Sequence, residues 1–173
     1  MQKKKFITVM AVLDEESQRR IQAIRDGFTA VCGEDTYTPP VPFHITLGSY
    51  PVEDTQEIVR RMHEIAGSTR ACPVRFVGPG HFGNVVRFLT PEIDDALRQL
   101  HNHFDSDYAN GYPGWLPHVT VYRHAAPTEA AWPAYDPFDA KIVAIELGEF
   151  FPAKFITRAA LRGDDPADHF PKI

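Results

Sequence analysis

One order of elements occurs twice in this chain, and it limits the possible folds more than any other feature. Residues 5–48 read as strand, helix, strand and end in His44-Ile45-Thr46. Residues 84–123 read the same way and end in His118-Val119-Thr120. Side chains two apart on a strand share a face, about 6–7 Å from each other. Each closing strand therefore turns an imidazole and a hydroxyl one way and its apolar residues the other: Ile45 and Leu47 in the first, Val119 and Val121 in the second. Two such halves around a pseudo-twofold axis would bring their His/Thr strands to face each other across a cleft.

The remaining elements follow from periodicity and punctuation. Residues 5–13 are apolar on both faces, as in a buried strand. A helix is predicted over about 15–30, capped by Asp14, with Ile21, Ile24, Phe28 and Val31 as its stripe. "TPPVP" at 38–42 is a stiff connector. A second helix is predicted over about 54–66, with Asp54 and Glu57 as a capping box and Gly67 ending it. Residues 72–77 and 84–89 read as strands joined by the loop "GPGHFG". Thr90 and Pro91 read as N-cap and first residue of a third helix bearing Ile93, Leu97, Leu100 and Phe104. "YANGYPGW" and the Pro/Ala-rich residues 124–139 read as loops, 141–149 and 153–162 as closing strands, and the rest as a polar tail. The reading is a single α+β domain, residues 1–173, of two lobes.

Composition excludes some function classes. A net charge of −5 argues against a protein that coats extended duplex nucleic acid by neutralising phosphates, though a pocket for one phosphate remains compatible with it. The apolar run after the N-terminal lysines is only Phe6 to Leu13, and Asp14, Glu15 and Glu16 follow it, which favours a strand over a signal peptide. No run reaches transmembrane length, and a soluble cytoplasmic protein is expected. Cys32 and Cys72 form no CxxC; two reduced thiols are the simpler reading and a disulfide the alternative.

Two histidines sharing a cleft can divide acid and base work, because the free imidazole pKa near 6.5 lets one be neutral while the other is charged. Thr46 and Thr120 would offer neutral hydroxyl donors to the non-bridging oxygens of a phosphoryl group held between the rings. The set suits in-line attack at phosphorus without a metal or other cofactor. Arg123 either pairs with the phosphate or is a surface arginine at a strand end. Tyr50, Phe82, Trp115 and Tyr122 are candidates to stack a base at the cleft rim, or else core and loop aromatics. "GPGHFG" matches GxGxxG, but a strand follows where a nucleotide fold needs a helix. His101 and His103 point different ways on a helix, and a zinc site at His44 and His118 lacks a third ligand.

"HITL" and "HVTV" resemble the duplicated His-x-Thr/Ser-x signature of the 2H phosphoesterases, which include RNA 2′,3′-cyclic phosphodiesterases, also called 2′–5′ RNA ligase-like proteins. "PHVTVYR", "GHFGNVVRFLTP" and "IVAIELGEFFPAKF" resemble further segments of that family. The resemblance implies a bilobal fold: two pseudo-symmetric antiparallel-sheet lobes, helices outside, a central cleft. It implies catalysis by His44 and His118 and phosphate binding by Thr46 and Thr120. The implied activity is metal-independent opening of a 2′,3′-cyclic phosphate, on an RNA 3′ end or a small nucleotide, to a 2′-phosphate. His44 would be the base and His118 the acid, an order that could be swapped. Ligation is the same chemistry run in reverse, and a non-catalytic module for RNA ends or nucleotides is the alternative.

Overall fold

The computed structural model describes residues 4–35, 40–109, 113–124 and 129–163. Seven strands and three helices run in the order β1 (Phe6–Leu13), α1 (Glu15–Cys32), β2 (His44–Pro51), α2 (Thr55–Ser68), β3 (Cys72–Phe82), β4 (Val86–Pro91), α3 (Asp95–Asn102), β5 (Val119–Arg123), β6 (Phe138–Phe150) and β7 (Lys154–Ala160). All ladders are antiparallel. The strands form one sheet in the order β2-β1-β6-β3-β4-β5, with β7 also paired to β6. The order is palindromic in kind: β1-α1-β2 occupies one end and β4-α3-β5 the other. The two halves join where β3 pairs β6 through Cys72–Phe76 and Phe138–Ile142.

A single large core explains why the chain closes this way. Ile7, Val9, Ala11 and Leu13 of β1, Ile45 and Leu47 of β2, and Val119 and Val121 of β5 pack with Ile21 and Phe28 of α1, Ile58 and Met62 of α2, and Leu97 and Leu100 of α3. The helices cross over between halves. Helix α1 packs on β5 and α3 on β2, and Phe28 of α1 stacks on Tyr122 with ring centroids 5.3 Å apart. Although β2 and β5 are the two ends of the sheet, they contact each other. Their His and Thr side chains lie on the face turned away from the helices.

The first helix begins as expected: the Asp14 carboxylate accepts from the Ser17 amide, although Val31 is exposed instead of joining the stripe. Three local expectations are corrected. The capping box at the second helix does not form, because Asp54 makes no capping bond and Glu57 accepts instead from Arg60 and Arg61. "GPGHFG" is not a loop: Gly78–Phe82 continue β3, and only Gly83, at φ 52°, belongs to the turn. Among the described residues, this strand beyond Phe76 pairs with β4 alone, an edge position at which a sheet tolerates a proline such as Pro79. Thr90 and Pro91 end β4, with Pro91 opposite Phe76; helix α3 starts later, where Asp94 accepts from the Leu97 amide at 2.8 Å, and Ile93 is left exposed. Parts of the 38–42 connector, the 108–115 loop and the 124–139 loop, and the tail after Gly163, lie outside the described residues. Cys32 and Cys72 are not joined in a disulfide.

Candidate active site

The two His-x-Thr strands share a device that alternation alone does not reveal. In the β1–β2 ladder Met10 lies opposite Thr46 and Val9 opposite Gly48, so Leu47 is an extra residue. In the β4–β5 ladder Phe88 lies opposite Thr120 and Arg87 opposite Tyr122, so Val121 is extra. Each bulge directly follows the threonine of its motif. A bulge shifts the alternation of what comes after it. Tyr122, which strict alternation would put beside Thr120, goes into the core instead. Arg123 moves to the site face, close enough for its charge to act on His118.

The imidazoles are anchored in the same manner. Nδ1 of His44 lies 2.8 Å from the Pro42 carbonyl oxygen, and Nδ1 of His118 lies 2.7 Å from that of Leu116. A carbonyl oxygen only accepts, so both Nδ1 atoms carry protons. Nε2 is thereby left on each ring as the atom that can take or give a proton. Burial pushes His44 down to about 4 from the ordinary 6.5; the Pro42 carbonyl opposes this, and neighbouring His118 adds to it. His118 is lowered as well, by burial first and by Arg123 in addition, against the pull of the Leu116 carbonyl.

The burial comes from apolar patches on the site face. Val12 lies directly across the ladder from His44 and belongs to an apolar cluster with Met10, Val143 and Ala144. Beside His118 lie Phe82, edge-on at 5.2 Å, and Phe88, at 5.0 Å between ring centroids. Gly80 makes room for Phe88, since a Cβ there would run into that ring. Gly80→Ala should therefore displace Phe88, which packs against His118. A displacement of this kind is expected to shift the His118 ring resonances and its titration, measured by NMR, while circular dichroism stays native.

Of the residues singled out from sequence, His44, Thr46, His118, Thr120, Arg123 and Phe82 gather on this face. Two rim candidates do not. Tyr50 and Tyr122 are 9% and 0% exposed, buried because the bulges rotate them inward. Trp115 has one face covered by His101 (3.8 Å, 4° between planes), and its Nε1–H donates to the Thr46 carbonyl at 2.9 Å. The sequence reading missed Phe88 and His101: neither carries a spacing signal, and only the strand register and the helix crossover reveal them. Among the described residues no three His, Cys, Asp or Glu side chains converge as metal ligands, and no helix is long and apolar enough to cross a membrane.

The comparisons agree with this fold. No curated protein sequence matches the chain. Among solved structures the fold is similar to that of TT0787 from Thermus thermophilus, with TM-score 0.64, 21% identity, and 92% of this chain and 99% of that one covered. It is similar to Escherichia coli LigT in its apo form, with TM-score 0.60, 18% identity and coverage of 92% and 99%. A structure described as a phosphoesterase gives TM-score 0.61 at 16% identity, covering 91% and 98%. The family model of the 2′-5′ RNA ligase superfamily matches residues 13–155. With its duplicated His-x-Thr strands and this antiparallel sheet, the chain belongs to the 2′-5′ RNA ligase superfamily, the 2H phosphoesterases.

Proposed function

We propose that this protein is a metal-independent phosphodiesterase that opens 2′,3′-cyclic phosphates, on nucleotides or RNA 3′ ends, to 2′-phosphates. It acts as one two-lobed domain in the cytoplasm. The observation that carries the reading is the matched pair of Nδ1–carbonyl bonds, which leaves two Nε2 atoms available on contacting strands. In the hydrolytic direction His44, the ring held down to about 4, is neutral and takes the proton of the attacking water. The water oxygen bonds to phosphorus, the P–O3′ bond breaks, and protonated His118 gives its Nε2 proton to the departing 3′ oxygen. Thr46 and Thr120 donate to the non-bridging oxygens and Arg123 supplies positive charge. With a 5′-hydroxyl in place of water as the nucleophile, the same groups would bond its oxygen to phosphorus as the P–O3′ bond breaks, which is 2′–5′ ligation. Nucleotide substrates are also supported by the E. coli LigT structures determined with 3′-AMP and with ATP.

The test is incubation with 2′,3′-cyclic mononucleotides, with and without chelator, following the product by phosphorus NMR. A 2′-phosphate formed in chelator supports the proposal. Binding without turnover would instead make the protein a nucleotide-binding module, and loss of turnover in chelator would call for a metal.

The pH dependence has a definite sign. The base must be unprotonated and the acid protonated. In the free protein His44 meets its condition above about 4, and His118 meets its own only below a pKa that lies under 6.5. The kcat/KM profile is expected to be bell-shaped, with its maximum on the acidic side of 6.5 and a fall as pH rises beyond it. A bound phosphate anion favours charged His118, so the alkaline limb of kcat should lie at higher pH. A kcat/KM that climbs through pH 7–8 would contradict this assignment.

A further inference from the structure

We infer that His101 and Trp115 are positioning residues for the reaction, acting as a clamp that sets the first His/Thr strand relative to the second; the inference rests on the proposed phosphodiesterase reading. Strand β2 is an end strand of the sheet, so among the described residues one row of its backbone groups has no neighbouring strand. At the bulge two successive carbonyls on it are taken up by side chains of the other half. Trp115 Nε1–H donates to the Thr46 oxygen at 2.9 Å. Buried His101 lies with Nδ1 2.8 Å from the Leu47 oxygen. The imidazole and indole are stacked face to face at 3.8 Å, and Asp105 lies 3.4 Å from His101 Nε2. Each ring thus fixes the plane of the other.

The clamp is one residue away from the second histidine's anchor. Trp115 grips the strand of Thr46, and the next residue, Leu116, provides the carbonyl that holds His118 Nδ1. The path from Thr46 to the His118 ring therefore runs through two hydrogen bonds and two residues of one short segment. The opposite strand has a counterpart: the Arg123 amide donates to Asp35 at 3.0 Å, and Asp35 pairs with Arg25 of α1 at 3.3 Å. Each end strand is thus pinned by the other half.

Trp115→Phe keeps the ring stack but removes the donor to Thr46. His101→Leu removes the donor to Leu47, whereas His101→Asn restores an N–H at nearly the Nδ1 position. With a 2′,3′-cyclic mononucleotide, Trp115→Phe and His101→Leu are expected to lower kcat about tenfold or more, with KM changed less than about twofold, and His101→Asn to recover most of it. Circular dichroism and thermal melts accompany each variant. Should His101→Leu fail to fold, Trp115→Phe decides alone. A kcat in Trp115→Phe within twofold of wild type overturns the clamp and leaves the phosphodiesterase standing. If the wild-type chain turns over no cyclic nucleotide, the phosphodiesterase reading fails, and inorganic phosphate affinity by calorimetry becomes the readout. There a fivefold or greater weakening in Trp115→Phe supports the clamp, and unchanged affinity, or no phosphate binding by the wild type, overturns it.

Discussion

Replacing His118 by alanine is expected to reduce kcat for a 2′,3′-cyclic nucleotide by about 10²–10⁴-fold, the usual worth of a positioned general acid or base, or roughly 3–5 kcal/mol of barrier. His44→Ala should cost a similar factor. The two losses should not add. Once one ring is gone the proton relay across phosphorus is already broken, so the double variant should be little worse than the poorer single one. Neither substitution removes a core side chain: both rings are half-buried on the face away from the helices, so thermal melts should change little. Steady-state kinetics of the three variants measure the coupling. Losses that multiply fully would mean that the rings act on separate events.

The largest stability effect is expected at Gly48. This residue follows the Leu47 bulge and faces the end of the third helix, where a Cβ would collide with the backbone carbonyl of Phe104. The obstacle is main chain and cannot rotate away. Overpacking typically costs about 1–3 kcal/mol, and an unyielding backbone contact puts Gly48→Ala at the upper end or beyond it. For a chain of this size that is a fall in Tm of roughly 6–12 °C. Gly67→Ala is the natural control. It lies within α2, with nothing within 4 Å of its added Cβ, and should gain about 0.5–1 kcal/mol from helix propensity. Thermal or urea melts distinguish the pair, and equal melting of Gly48→Ala and wild type would contradict the contact.

The repeated strand-helix-strand order was legible because it rests on long periodic segments, and the alternation around His44 and His118 assigned those residues to one face. The bulges were not legible. Leu47 and Val121 are apolar, and an apolar residue after Thr fits simple alternation as well as it fits an insertion that sends the next side chain inward. That ambiguity sent Tyr50 and Tyr122 to the rim on paper and to the core in the fold. Local signals failed where tertiary pairing overrode them. Pro79 in "GPGHFG" looked like a turn because the edge position of its strand cannot be seen in sequence. Thr90-Pro91 looked like a helix start because its pairing with Phe76 is long-range. His101 and Trp115, which are not adjacent in sequence, meet only because α3 packs on the strand of the other half.

The two-histidine mechanism requires the imidazoles to sit close enough to sense each other. The most direct measurement is the titration of His44 by NMR in the wild-type chain and in His118→Gln. Burial of the ring beside His118 predicts a wild-type pKa of about 4, and the mechanism predicts that it moves upward when the neighbouring ring is removed. A His44 whose titration is indifferent to residue 118 would contradict the mechanism.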